Sequence, residues 1–193
     1  MAGRPREFDE DEVLDRALDA FWTHGYKATS VTHLVEATGL AKGSLYKAFG
    51  DKRRLFELAL DRYLESGVGR LRTVAAGESP RAALERWLMN IIELSTCTGV
   101  RRGCMAINCT VELAPHDEGV RARLRRHQRG LEQIYARLIS AGISAGEFRA
   151  GLDPKVSARW LTTIIGGLQV RGKLGLDRKD ALETVRMTLA GLS

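Results

Sequence analysis

The 193-residue chain lacks the features that mark membrane proteins and disulfide scaffolds. No apolar run reaches the roughly 18 residues that a transmembrane helix needs. Residues 1–11 are polar and lack the apolar segment of a signal peptide. The three cysteines, Cys97, Cys104 and Cys109, are an odd number and favour reduced thiols over disulfides. We therefore expect a cytoplasmic protein that does not span a membrane.

Sequence motifs of common enzyme classes are also missing. The chain has no glycine-rich phosphate loop, no His-Glu-x-x-His and no nucleophile elbow. Cys104, Cys109 and His116 form a weak metal candidate, because their spacing matches no standard zinc pattern. The sequence therefore predicts no catalytic residues, no metal site and no cofactor. The four histidines are interpreted as surface or loop residues: His24, His33, His116 and His127.

Strand-like alternation and internal repeats are absent, and apolar residues recur at helical spacing instead. Ser79-Pro80 and Asp153-Pro154 are strong helix starts, whereas Gly25, Gly39 and Pro115 mark breaks. Gly67 and Gly69 are expected to loosen the end of the fourth helix. The fold class is therefore predicted to be all-α, with about nine helices at roughly these residues: 9–23, 30–38, 42–49, 51–72, 79–95, 104–114, 117–145, 153–174 and 178–192.

The stretch TSVTHLVEATGLAKGSLYKAFGDKRRLF, residues 29–56, contains two short helices that meet at Gly39. This arrangement predicts a helix-turn-helix, in which the second helix lies in the DNA major groove. The net charge of +6 is weak support, because nine basic and nine acidic residues balance over residues 1–54. The local charge is clearly positive between Lys42 and Arg54, where five basic residues stand against one acidic residue, Asp51.

The run Gly-Leu-Ala-Lys-Gly-Ser-Leu-Tyr-x-x-Phe-x-x-Lys, from Gly39 to Lys52, resembles the signature of the TetR family of transcriptional regulators. Ala41 stands where the family usually has serine, so the second helix lacks a side-chain N-cap. The resemblance implies a helix-turn-helix DNA-binding domain at residues 1–54. It also implies an effector-binding and dimerisation domain at residues 55–193, joined to the first by the helix that starts near Asp51.

Matching the family motif position by position gives a set of candidate DNA contacts. Lys42, Ser44 and Lys47 are expected at or near base edges, and Tyr46 and Lys52 at phosphates. Gly43 is costly inside a helix and is interpreted as allowing close approach of the backbone to DNA. The basic arm at residues 2–6 is either a minor-groove arm or a frayed terminus. Three hydroxyl residues at the start of the first helix of the pair are phosphate contacts, helix caps or both: Thr29, Ser30 and Thr32.

The family commonly encloses a small-molecule pocket among its central helices. Each candidate for that pocket is also compatible with a plain core position, although the amide of Asn108 must find a polar partner. Cys104 follows Arg101 and Arg102 at a helix start, which favours a reactive thiolate, and the alternative is a small buried hydrophobe. The candidate pocket residues are the following: Trp87, Met105, Asn108, Cys109, Tyr135, Trp160 and Gln169.

These features and the resemblance predict a ligand-responsive repressor that binds a pseudo-palindromic double-stranded operator. The last two helices are apolar over wide faces and carry small residues, which suits a homodimer. The expected partners are therefore operator DNA, a second copy of the chain and an unknown small-molecule effector, without a membrane. One alternative is an electrophile-sensing or redox-sensing repressor that uses Cys104. A further alternative is a cysteine-dependent enzyme.

Overall fold

The computed structural model describes residues 8–96 and 101–193. Within these residues the regular structure is entirely helical, which confirms the predicted all-α class. The chain divides into two compact units between Tyr63 and Leu64. The predicted functional boundary between residues 54 and 55 stays a prediction. The helices are α1 (Glu10–His24), α2 (Val31–Thr38), α3 (Lys42–Phe49), α4 (Lys52–Ala76), α5 (Pro80–Thr96), α6 (Met105–Glu112), α7 (Glu118–Ser144), α8 (Pro154–Lys173) and α9 (Arg178–Ala190).

Side-chain caps and glycine turns set the helix ends of the N-terminal unit. The Asp9 carboxylate accepts hydrogen bonds from the first-turn N–H groups of Asp11 and Glu12, which begins α1. Gly25 and Gly39 end α1 and α2 with φ of 81° and 72°. These positive angles favour glycine, so the two turns are encoded locally.

Aromatic side chains form the centre of the N-terminal core. The Phe21 and Phe56 rings pack edge to face with centroids 5.3 Å apart, and the Tyr26 ring lies 4.6 Å from that of Phe56. On the surface, the Arg62 guanidinium forms a bidentate pair with the Asp15 carboxylate, at 2.5 and 2.9 Å, and also binds Asp11 at 2.7 Å. These contacts fasten α1 to the first part of α4.

Helix α4 is longer than the sequence predicted. It continues through Gly67 and Gly69 to Ala76, so the expectation that the two glycines loosen its end is wrong. The helix is shared by the two units: it belongs to the N-terminal unit from Lys52 to Tyr63 and to the C-terminal unit from Leu64 onward. Leu71 is fully buried in the core of the C-terminal unit. Burial of apolar residues along α4 therefore outweighs the weak helix propensity of two glycines, which costs about 1 kcal/mol each.

The core of the C-terminal unit is built from α5, α7, α8 and α9. The Trp87 indole Nε1 donates a 2.7 Å hydrogen bond to the Tyr135 hydroxyl, which joins α5 to α7 in the centre of this core. Burial raises the pKa of Tyr135, although the hydrogen bond from Trp87 opposes that shift. The pair satisfies the buried indole N–H, so neither ring needs solvent. No helix of the described residues is long and apolar enough to cross a membrane.

The interpretation of all four histidines as surface or loop residues is wrong for His127. It lies in α7, is half-buried, and hydrogen-bonds to the Leu64 backbone carbonyl of α4. Its Nδ1 is buried without a hydrogen-bond partner in the described part of the chain. Burial lowers the pKa of His127 below its ordinary 6.5, and the Leu64 carbonyl opposes that shift. The folded chain therefore holds His127 in its neutral form more strongly than the unfolded chain does.

We predict that acidification destabilises the protein through His127. Because the pKa is lower in the folded state, this contribution is fully present above pH 6.5 and is lost as pH falls below that value. Urea unfolding of wild type and His127→Gln between about pH 7.5 and 5 tests this. The difference in unfolding free energy between the two proteins is expected to shrink on acidification. A constant or growing difference would contradict the assignment.

Candidate nucleic-acid interface

Helices α2 and α3 form the predicted helix-turn-helix. Leu34 of α2 and Leu45 of α3 are fully buried, and Phe49 is nearly so. These three side chains hold the two helices together on their inner faces. Gly39 turns the chain between them in the left-handed conformation, as its position in the sequence indicated. The outer face of α3 is thereby fixed on a rigid base.

The outer face of α3 carries the predicted base contacts. Lys42, Gly43, Ser44 and Lys47 are all exposed, whereas Tyr46 is half-buried. The Lys42 ammonium lies 6.0 Å from the centroid of the Tyr46 ring, so the two side chains share one side of the helix. A Cβ added at Gly43 would meet no atom within 4 Å. Packing inside the chain therefore does not require a glycine at this position.

The hydroxyl residues before α2 have different surroundings. Ser30 and Thr32 are exposed at the start of the helix. The Ser30 hydroxyl accepts a 3.0 Å hydrogen bond from the His33 N–H, and the His33 ring accepts one from the Ser30 N–H at 3.3 Å. Thr29 is 0% exposed, and its hydroxyl donates to the Gly25 carbonyl at 2.6 Å. The prediction that the Thr29 side chain contacts a phosphate is wrong, because a side chain without exposed surface cannot reach one.

Lys52 is the predicted phosphate contact at the start of α4. Its ammonium lies 4.6 Å from the centroid of the Tyr26 ring, a cation–π arrangement that positions the charge. Nearby, Arg53 is paired with Glu57 at 2.7 Å, and Asp51 caps α4 by accepting a 2.7 Å bond from the Arg54 N–H. Arg54 is exposed and lies 3.8 Å from the same Glu57 carboxylate, so one acidic group is shared by two arginines. Arg54 therefore adds to the positive charge that Lys52 presents in this region.

Two supporting residues were missed from the sequence. His33 takes the place that glutamate or glutamine holds in a capping box, three residues after the N-cap Ser30. That spacing was visible, but histidine is not the usual partner. Tyr26 stacks in the core and also faces Lys52, and nothing in the local sequence indicates a contact across 26 positions. The basic arm at residues 2–6 lies outside the described residues.

The start of α3 provides a stability prediction. Ala41 occupies the N-cap position, and no side chain caps the helix there. Replacing Ala41 with serine is expected to stabilise the protein by about 1 kcal/mol, since a hydroxyl there can accept a bond from a first-turn N–H. Urea unfolding measures the change, with Ala28→Ser in the exposed turn between α1 and α2 as a control that should leave stability unaltered. Equal changes in the free energy of unfolding for the two substitutions would show that serine at position 41 does not act as a helix cap.

The predicted pocket residues of the C-terminal unit do not share one environment. Trp87, Met105, Cys109 and Tyr135 are buried, and the structure brings Trp87 and Tyr135 into direct contact. Gln169 is half-buried on α8. Trp160 is instead 38% exposed and lies on the surface of α8. Its assignment to the pocket stays a prediction, and its exposure distinguishes it from the buried residues of the set.

Asn108 finds its polar partners inside the protein. Its amide donates to the Arg102 carbonyl at 2.8 Å and accepts from the Lys173 ammonium at 3.1 Å. The amide therefore ties α6 to the preceding loop and to α8 without a ligand. The two bonds supply the polar partners that the sequence predicted for the Asn108 amide.

The two described cysteines differ in burial. Cys109 is buried, and desolvation raises its pKa to about 12, with smaller contributions from Glu112 and Cys104. Cys104 is half-buried at the N-cap position of α6. Cys97 lies outside the described residues. Among the residues that the structure places, no group of three or more His, Cys, Asp or Glu side chains can hold a metal ion, so the weak candidate of Cys104, Cys109 and His116 is not formed.

Comparison with known proteins gives matches over both units. Residues 13–59 match the family described as bacterial regulatory proteins of the tetR family, and residues 80–189 match the tetracyclin repressor-like C-terminal domain. The HTH-type transcriptional repressor ComR of Escherichia coli strain K12 is 30% identical over 189 residues, which cover 97% of this chain and 90% of ComR. The uncharacterized HTH-type transcriptional regulator YezE of Bacillus subtilis strain 168 is 31% identical over 157 residues, 81% of this chain and 80% of YezE.

A solved structure has the same architecture over nearly the whole length. It is a cysteine mutant of the TetR family transcriptional regulator CifR, complexed with 26-bp double-strand operator DNA. The two chains share 32% identity with a TM-score of 0.86, and the match covers 99% of this chain and 100% of that one. The helix-turn-helix, the matched residues of both units and this fold together show that the chain belongs to the TetR family of bacterial transcriptional regulators.

Proposed function

We propose that the protein is a dimeric repressor that binds a pseudo-palindromic DNA operator in the cytoplasm and is released by a small-molecule effector. The outer face of α3 is the observation that carries the DNA-binding part. Lys42, Ser44 and Lys47 project from a helix whose inner side is fixed by buried leucine and phenylalanine. A rigid helix with exposed cations and hydroxyls matches the major-groove readers of other helix-turn-helix proteins.

Phosphate contacts around α3 are assigned to side chains at neighbouring helix starts. Ser30 and Thr32 lie at the N-terminus of α2, where free N–H groups favour an anion. Lys52 lies at the start of α4, and Tyr46 lies on α3 beside Lys42. These groups would set the register of the protein on the duplex, while α3 reads the bases. The exposed backbone at Gly43 leaves room for DNA to approach closely.

The dimer is supported by apolar side chains that the single chain leaves exposed on α8 and α9. Leu174, directly after α8, is 83% exposed and Met187 of α9 is 76% exposed. Val156, Trp160 and Val170 are further exposed apolar residues of α8. Exposed apolar surface of this kind marks an association site. A two-fold dimer would pair this surface with itself and would place two α3 helices about 34 Å apart, one turn of DNA.

The release mechanism rests on helix α4. An effector that binds one state of the C-terminal unit better than another shifts the population toward that state. Because α4 continues from one unit into the other, the effector and DNA sites can be coupled through it. Trp87, Met105 and Tyr135 remain proposed effector-side residues. Trp87 of α5 and Tyr135 of α7 touch in the core of the C-terminal unit, and Met105 is buried on α6.

Mobility-shift titration of genomic fragments, combined with sedimentation of the complex, tests this proposal. We expect selective retention of a few fragments by two protomers per site, and a small apolar ligand that stabilises the protein should weaken that binding. Uniform binding of all fragments would contradict sequence-specific regulation. A ligand that binds tightly and leaves operator affinity unchanged would contradict the release mechanism.

A second candidate signal is an electrophile or oxidant acting at Cys104. The favouring observation is that Cys104 is half-buried, whereas the Cys109 thiol is buried with a pKa near 12. Diamide should then release operator DNA from wild type and from Cys109→Ala, but not from Cys104→Ser. Equal release of all three proteins would show that Cys104 is not required. Retention by all three would exclude thiol oxidation as the signal.

A further inference from the structure

A cationic groove runs between α7 and α8 in the C-terminal unit. It has a volume of about 360 Å³ and is formed by one face of each helix. The α7 side chains follow helical spacing, and the α8 side chains do the same. The lining residues are Arg129, Glu132, Gln133, Ala136 and Arg137 from α7, and Lys155, Ala158 and Arg159 from α8.

Charge in this groove is unbalanced. Four cationic side chains face a single carboxylate, Glu132, which accepts a 3.0 Å hydrogen bond from Gln128. None of the four cations makes an ion pair within 4 Å with a carboxylate of the described residues. Asp153 is the N-cap residue of α8. Hydrogen bonds from the Val156 and Lys155 N–H groups lower the pKa of Asp153, and the charges of Arg159 and Lys155 lower it further. The four groove cations therefore outnumber the two nearby carboxylates, Glu132 and Asp153.

Two alanines explain why the groove exists at all. Ala158 is fully buried and Ala136 partly so, and both line the groove beneath the long cationic side chains. Because alanine side chains are short, these two positions on facing helices leave space between the longer arginine and lysine side chains around them. The result is a recess with an apolar base and a rim of guanidinium and ammonium groups.

We propose that this groove binds a small polyanion that carries two or more phosphate or carboxylate groups. Arginine presents planar donors that pair with phosphate or carboxylate oxygens in a bidentate manner. Three arginines on two helices can surround one such ligand, and Lys155 adds a further charge. The volume fits a compact ligand, since small-molecule sites range from about 300 Å³ upward. This inference is independent of DNA binding by the N-terminal unit.

Isothermal titration of the full-length protein with inorganic pyrophosphate, and separately with succinate, tests the site. At low salt we expect saturable binding of at least one of the two probes, weakened by added salt. Preferential binding of pyrophosphate assigns the site to phosphates, and preferential binding of succinate assigns it to dicarboxylates. Absence of saturable binding by both would overturn the proposal.

Charge-matched variants locate the binding. Arg137→Gln combined with Arg159→Gln should weaken the probe at least about tenfold, because two groove charges are removed. Arg125→Gln combined with Arg126→Gln removes the same charge from exposed α7 positions outside the groove and should change affinity less than about twofold. Glu132→Gln should tighten binding several-fold. Equal weakening by both double variants would overturn the assignment to the groove, as would tight binding that survives the groove variant.

Discussion

Replacing Lys42 and Lys47 together with alanine is expected to weaken operator binding by about 10- to 100-fold at physiological salt. Both lysines are exposed on the outer face of α3, and neither is paired with a carboxylate of the described residues. A dimer places four of these lysines at one operator, so the double variant removes four positive charges from each complex. If all four lysines lie close enough to neutralise phosphates, the slope of log affinity against log salt should fall in magnitude by about 4. Fluorescence anisotropy over a series of salt concentrations measures both quantities.

A charge-matched variant separates direct contact from the general field of the protein. Arg125→Ala with Arg126→Ala removes two charges from exposed positions of α7. This control should leave the salt slope unchanged, since those side chains are not part of the proposed interface. If both double variants lower the slope equally, then α3 contributes only through net charge and the proposed interface is wrong.

Replacing Gly142 with alanine is expected to destabilise the C-terminal unit by about 3 kcal/mol. An added Cβ would lie 2.2 Å from Cδ2 and 2.4 Å from Cε2 of the buried Phe148 ring. The ring cannot easily withdraw, because the N–H groups of Glu147 and Phe148 both donate to the Gly142 carbonyl. Thermal and urea unfolding should both report the loss.

Gly130 provides the matched control within the same helix. A Cβ at Gly130 would meet no atom within 4 Å, so alanine there should stabilise α7 by about 0.5–1 kcal/mol through helix propensity. The two substitutions are chemically identical and are expected to have opposite signs. If alanine stabilised the protein at both Gly130 and Gly142, then the Phe148 ring does not lie against Gly142 closely enough to exclude a methyl group.

Local signals were sufficient for most helix boundaries. Helices α3, α5 and α8 begin where the sequence indicated. Their start signals are Gly39, Ser79-Pro80 and Asp153-Pro154, which determine the backbone conformation of the adjacent residues only. The end of α4 was predicted too early, because Gly67 and Gly69 weaken a helix locally while burial of Leu71 stabilises it. That burial depends on residues distant in sequence and could not be read from the glycines.

Functional side chains were harder to place than helices. Helical spacing alone does not distinguish a residue on a core face from one on an exposed face when both faces carry apolar groups. Trp160 was therefore grouped with Trp87 and Tyr135, although it lies on the exposed surface of α8. Thr29 was predicted to contact phosphate or cap a helix because it lies at a helix start, but its hydroxyl is buried and donates to the Gly25 carbonyl. Asn108 was predicted to need a polar partner, and the structure supplies two from Arg102 and Lys173.

Reading of the operator sequence is assigned to the outer face of α3. Selection of binding sites from a pool of random duplexes, performed with wild type and with Lys47→Ala, tests it most directly. We predict that wild type enriches an inverted repeat with half-sites about 10 bp apart or a multiple of that spacing. The variant should enrich the same repeat with base preference lost at symmetry-related positions of each half-site. An unchanged preference at every position would contradict the assignment of Lys47 to base reading. Failure of wild type to enrich any sequence would contradict sequence-specific operator binding by this protein.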